Sequence, residues 1–158
     1  MATPLAQSIH SSGPLSNDEV ALWRGFLGWS ESITSNVGRD LTAATGLTGP
    51  EFEILVRLSE APENALEQRV LAESLGWSAS RMSHQLARMT TRGLLSRAEV
   101  GVGRLMRIAL TREGTATVKQ SLGVHAEAVR RHFLERLPPA HRAELLNAEC
   151  AHDGSRMH

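Results

Sequence analysis

The sequence predicts a mostly α fold with a small β-wing, built as a winged helix-turn-helix core flanked by N- and C-terminal helices. Three observations predict it. Residues 68–114 read QRVLAESLGWSASRMSHQLARMTTRGLLSRAEVGVGRLMRIALTREG. This is a short helix pattern, a turn at Gly76, a second helix pattern and two strand patterns around a Gly-rich tip, an order that presents one helix to a DNA groove. Long stretches with apolar residues at three- and four-residue steps lie on either side, as amphipathic helices require. Charge is also unevenly placed in a chain of net charge zero: residues 1–67 hold three arginines against nine acids, and residues 68–112 hold eight arginines against two acids. A local excess of arginine on a helix-turn-helix pattern suits phosphate binding; the plainer alternative is a solvated face paired with the acidic first third.

Composition sets outer bounds. At 158 residues, 41% hydrophobic and 22% charged, the chain matches an ordinary globular domain with added helices. No apolar run approaches the roughly 20 residues that cross a bilayer. The N-terminus lacks a basic segment followed by an apolar one, so no signal peptide is expected. The single cysteine, Cys150, allows no internal disulfide and fits a reducing cytoplasm.

Taken in order, residues 1–15 carry Pro4, Ser8, Ser11, Ser12, Gly13 and Pro14 without apolar periodicity, and a flexible arm is expected. Ser16 with Glu19 three residues on reads as an N-cap and capping box. Val20, Trp23, Leu27, Ile33, Val37 and Leu41 then mark a long helix to about Ala44, weakened locally by Gly25, Gly28 and Gly38. Thr48 with Pro50 and Glu51 restarts helix; Phe52, Leu55, Val56 and Ser59 should face inward, and Ala61-Pro62 ends it. Ala65-Leu66 suggests a short strand. Val70, Leu71 and Leu75 share a side of the third helix, which closes at Gly76 in a left-handed conformation.

Ser78 caps the next helix, Ala79 to about Arg92, which ends at Gly93. Met82, Leu86 and Met89 step by four and three toward the core. Ser80, Arg81, Ser83, His84, Gln85 and Arg88 make up the opposite face, with arginine to guanine and glutamine to adenine as the expected base contacts. Leu94–Ala98 reads as a strand and residues 99–103 as a loop tip. Residues 104–110 read as the return strand, on which Arg104 and Arg107 are also candidate DNA contacts, Arg104 through a minor groove. Thr111-Arg112-Glu113-Gly114 starts a long helix with Val118, Leu122, Ala126, Val129, Phe133 and Leu137, stopping at Pro138-Pro139. A short helix to about Cys150 and a frayed tail close the chain.

With these pieces in sequence, the chain resembles the MarR family, the bacterial multiple-antibiotic-resistance regulators, over roughly residues 18–150. The resemblance is carried by the long first helix, by LTGPEFEILVRLSEAP, by LAESLGWSASRMSHQLARMTTRGLLSR and by GRLMRIALTREG. It implies a homodimer in which residues 16–46 and 112–150 form the dimerisation helices. Residues 48–111 form the DNA-binding region between them, with a flexible tail at 151–158. Their apolar faces, unneeded by a minimal winged helix, agree with that. The resemblance further implies a cytoplasmic repressor of a pseudo-palindromic operator, with no cofactor. It also implies release of DNA on binding a small aromatic or phenolic effector, for which Trp23, Trp29, Arg57 and His125 are candidates. Interface core is the plainer role for the two tryptophans and for His125, and an ion pair for Arg57. One departure stands out: the family's wing usually carries Asp-x-Arg, and here Val102 occupies the acid's place before Arg104.

Other chemistries find little support. His125 and His132 are seven apart, and Cys150-Ala151-His152 has neither Cys-x-x-Cys nor His-x-x-x-His spacing. No nucleophile elbow, P-loop or dinucleotide fingerprint occurs, so no enzyme is expected. Two alternatives stay open: a redox-responsive regulator using Cys150, and a winged helix that binds protein. The first needs a lowered thiol pKa. The second needs an apolar or acidic face in place of the arginines, histidine, glutamine and serines of residues 80–88.

Overall fold

A computed structural model describes residues 13–101 and 105–153, with side chains as far as Asn147. Most of the expected arm, the wing-tip residues Val102 and Arg104, the Cys150 side chain and the last five residues lie outside the described residues. The chain divides into two compact units, Met1–Ser32 and Ile33–His158.

Helix α1 spans Asn17–Thr45. Its start is the expected capping box: the Ser16 N–H donates to Glu19 Oε2 at 2.7 Å, and the Glu19 N–H to Ser16 Oγ at 3.3 Å. Within the first unit, Leu22, Trp23, Phe26 and Leu27 are exposed, and the Trp23 and Phe26 rings stack with centroids 5.9 Å apart. In the second unit the helix buries Leu41, which joins Leu47 in the core.

Helix α2, Gly49–Glu60, opens on a complete capping box between Thr48 and Glu51, with Pro50 in the first turn. Its buried stripe is Phe52, Ile54, Leu55 and Leu58. The sequence points to Phe52 and Leu55 but not to Ile54 and Leu58, and gives Val56 and Ser59 a depth they only half reach. Strand β1, Ala65–Glu67, leads into α3, Gln68–Leu75, which ends at Gly76 with φ 64° as expected. Leu71 and Ala72 are its buried residues; Val70, placed by the sequence on one side with Leu71 and Leu75, is 38% exposed. The inward side of α3 runs one residue further round than its apolar pattern suggests, because alanine is small enough to lie against the neighbouring elements.

Helix α4, Ala79–Thr91, is capped by Ser78 and is followed by Gly93 at φ 74°. Strands β2, Leu95–Val100, and β3, Leu105–Leu110, form the wing. Glu99 and Val100, expected in the loop, continue the strand by pairing with Met106 and Leu105. Glu99, of weak strand preference, is drawn in because the ladder already formed below it adds hydrogen bonds at little further entropic cost, and the β-branched Val100 favours the extended backbone. Among the described residues there is one antiparallel sheet, ordered β1-β3-β2. Thr111 caps α5, Arg112–Val129, which runs into a π-turn over Arg130–Leu134. Helix α6, Pro139–Asp153, carries helical backbone into the first three residues of the expected tail.

Two contacts tie the core to the ends of α2 and α4. Glu51, only 4% exposed, accepts from the Thr48 N–H at 2.9 Å and from Arg92 Nη1 at 2.7 Å. Arg92 Nη2 also reaches the Gly46 carbonyl at 3.4 Å. Burial pushes the Glu51 carboxyl up, but the Thr48 N–H and the Arg92 guanidinium outweigh it and hold it below the usual glutamate range. A carboxyl held low in the fold stabilises above its unfolded pKa of about 4.3, and that stability disappears as pH falls through the lower folded value. Glu51→Gln should therefore cost about 1–2 kcal/mol at neutral pH. The gap to the parent should close as melting is followed down to about pH 3; a constant gap would show that Glu51 contributes by shape and not by charge.

Candidate nucleic-acid interface

Helix α4 is amphipathic in the sense the site requires. Met82, Leu86 and Met89 are completely buried, and Ser80, Arg81, His84 and Arg88 are exposed on the far side, with Ser83 half-buried at the edge. No acid occurs between Ser78 and Arg92. Such a face offers guanidinium, imidazole and hydroxyl groups, which suit phosphates and base edges and suit an apolar protein surface poorly.

Gln85 corrects the sequence reading. It is only 8% exposed and lies beside the core stripe, so it does not stand on the outer face. At 3.6 residues per turn, position 85 falls next to 82 and 89. Its Oε1 accepts from Arg88 Nη2, while its Nε2 is buried without a hydrogen-bond partner among the described residues. Gln85 thus holds Arg88 from behind, and the adenine contact expected of it has no exposed amide to make it.

Arg81 is held in a different way. Its backbone N–H donates to Ser78 Oγ at 3.3 Å, and its Cζ lies 4.0 Å from the centroid of the Trp77 ring. Trp77 is the residue that the sequence reading passes over. The available signal was its place between the Gly76 turn and the Ser78 cap, directly before the basic helix.

On the wing, Arg107 lies on β3 opposite Glu67 and Ala98, where it forms an ion pair with Glu63. Glu63 and Asn64 both have positive φ, 56° and 53°, so that ion pair anchors a turn few non-glycine residues favour. Arg97 Nη2 donates to Gln68 Oε1 at 3.0 Å. These two arginines lock the sheet to its neighbours. Arg104, the expected minor-groove residue, lies outside the described residues.

The effector candidates separate. Trp23 and Trp29 belong to the Met1–Ser32 unit. In the other unit, the His125 ring stacks on Phe52 at 4.8 Å. Phe52 and Arg57 line one open groove of about 470 Å³ with Glu53, Val56, Glu60 and Leu75. Arg57 lies 3.8 Å from Glu60 as a loose surface ion pair. Among the described residues, no group of three or more His, Cys, Asp or Glu is arranged to hold a metal ion, and no helix is long and apolar enough to cross a membrane.

Comparison with known proteins accords with this geometry. A model of the MarR family matches residues 45–105. The crystal structure of AbsC, a MarR family transcriptional regulator from Streptomyces coelicolor, is 31% identical with a TM-score of 0.80, over 93% of this chain and all (100%) of that one. Sco3205, a MarR family regulator of the same organism solved in complex with DNA, is 25% identical with a TM-score of 0.80, over 90% of this chain and 91% of its own. A MepR-like protein complexed with pseudoligands shares the fold at 24% identity and a TM-score of 0.61, over 84% and 89% of the two chains. No curated protein matches the sequence.

Proposed function

This chain belongs to the MarR family of transcriptional regulators, and from that membership we propose that it acts as a homodimeric, ligand-responsive repressor. It binds a pseudo-palindromic operator, with one α4 per subunit in the major groove and one wing per subunit at the minor groove. The observation that carries this reading is the outer face of α4, where Arg81 and Arg88 are both exposed and both held, one by Trp77 and one by Gln85. Ser80, Ser83 and His84 complete the proposed contact surface, with Ser80 and Ser83 on phosphates. Arg104 serves the wing; Arg107, already paired with Glu63, contributes chiefly to holding the hairpin. The likeness to Sco3205, solved with DNA, supports the same use of the fold.

Dimerisation through residues 16–46 and 112–150 is supported by the large apolar side chains those helices leave exposed, Leu22, Trp23, Phe26, Leu122, Leu145 and Leu146 among them. The repressor role rests on the family resemblance. Ligand response rests on the family resemblance, supported by the groove beside Phe52, Val56 and Leu75, whose apolar residues suit an aromatic ring; Arg57, the cation on its edge, is shared with Glu60.

Selecting duplexes from a random double-stranded library tests the reading. The enriched DNA should carry two inverted half-sites about 10–10.5 bp apart, centre to centre. Arg81→Ala and Arg88→Ala should each weaken it by about 1–3 kcal/mol per bidentate guanine contact. Full affinity in both variants would remove α4 from the groove. In a second arm, benzoate-class acids should raise the melting midpoint and release the selected duplex; no shift across the series would end the ligand clause alone.

A further inference from the structure

We propose that Trp77 is a positioning residue for DNA recognition: its ring holds the Arg81 guanidinium in the pose in which Arg81 reads its base, so Trp77 sets specificity at that base pair through Arg81. This deepens the reading of α4 as the recognition helix and rests on it.

The position of Trp77 is fixed by the end of α3. Gly76 takes φ 64°, its N–H donates to the Glu73 carbonyl at 3.1 Å, and the Trp77 N–H donates to the Ala72 carbonyl at 2.9 Å. This is the paired closure in which the second residue past a helix packs back on its last turn. The ring is half-buried and packs against the core. It also lines a cleft of about 390 Å³ with Ala72, Leu105 and Met106, so α3 and the wing strand β3 both border it. Its backbone is thus fixed by the end of α3, and its apolar side is held against the core.

Arg81 stands in the first turn of α4, with its backbone N–H on the Ser78 hydroxyl and its guanidinium carbon 4.0 Å from the ring centroid. An exposed arginine spreads over many rotamers and loses that freedom on binding. An aromatic face attracts the cation and narrows the spread beforehand. Stacking covers the face of a guanidinium and leaves the N–H donors at its edge, which are the groups that pair with guanine O6 and N7. The Gly76-Trp77-Ser78 turn therefore does two things at once: Ser78 starts the helix, and Trp77 aims its first long cation.

The test uses the full-length protein and the duplex it enriches from a random library, with base substitutions scanned along one half-site. Trp77→Leu keeps apolar bulk without the aromatic face. It should weaken binding by about 2- to 30-fold per half-site. It should flatten base preference only at the pair that Arg81→Ala flattens and leave the Arg88 position sharp. In the Arg81→Ala background the same change should have almost no effect. If Trp77→Leu does not fold, Trp77→Phe decides. Its weaker ring should cost about two- to fivefold, and this loss should vanish once Arg81 is gone. Wild-type affinity in Trp77→Leu beside a weak Arg81→Ala overturns the proposal and leaves the recognition helix standing. Equal losses with and without Arg81, or flattening at every position, also overturn it, since Trp77 would then only support the fold. Silence of both Arg81→Ala and Arg88→Ala would instead remove α4 from the DNA, and this proposal with it.

Discussion

Gly114→Ala is expected to destabilise the fold by about 3 kcal/mol, the sum of an overpacked contact and broken hydrogen bonds. A Cβ at position 114 would lie 2.0 Å from the Leu94 carbonyl oxygen, 3.1 Å from its carbon and 3.4 Å from Leu110 Cδ2. The oxygen has no free direction to move. It accepts from the Thr111 N–H at 3.1 Å and lies 3.1 Å from Thr111 Oγ1, which shares its one proton between this oxygen and the nearer Gly93 carbonyl at 2.6 Å and accepts the Gly114 N–H at 2.9 Å. The first turn of α5 is thus locked onto the turn that ends α4, and a methyl group would pry the two apart. Helix propensity alone argues the other way, since alanine is better than glycine by up to about 1 kcal/mol. The sign of the result therefore separates contact from propensity. Melting should fall by about 6–12 °C, at about 2–4 °C per kcal/mol for a chain of this size. Gly123→Ala, in the same helix with open space around it, should be neutral or mildly stabilising. A Gly114→Ala midpoint at or above the parent's would refute the clash.

Breaking the proposed dimer should have the largest effect on DNA affinity. Leu22 and Phe26 are 76% and 50% exposed on α1 and, four residues apart, share a helix face. Leu22→Arg with Phe26→Arg puts two cations where a second copy's apolar surface is proposed, and burying them unpaired costs several kcal/mol. Sedimentation should shift from dimer to monomer at micromolar concentration. Affinity for the two-half-site duplex should fall by about 10²–10⁴-fold, the gain lost when two linked contacts become one. Circular dichroism should retain its helical signal; a loss of helix would make dimerisation inseparable from folding. A dimer that persists with unchanged affinity would place the interface elsewhere.

Much of the fold is legible because its signals are local. Ser16 with Glu19, Thr48 with Glu51, Ser78 and Thr111 cap helices through groups within three residues of themselves. Gly76 and Gly93 end helices because the backbone there needs positive φ. Met82, Leu86 and Met89 declare the inner face of α4 by spacing alone. Gln85 shows the limit: its chemistry suggests a base contact, while its position beside the Met82–Met89 stripe buries it.

What the sequence by itself determined was the order of elements, their caps, the inner face of α4 and the basic character of its outer face, since each depends on residues within a turn or two along the chain. Tertiary structure alone decided that Gly114 has no room for a methyl, that Glu51 meets Arg92 forty-one residues away, that Arg107 is taken by Glu63, and that Gln85 backs Arg88. The physical reason is the range of the interaction. Capping and periodicity act within one turn of helix, where spacing is fixed by backbone geometry. Steric clearance, buried charge pairing and the choice between two nearby partners depend on how separate elements approach in space, and that distance is written in no single stretch of the chain.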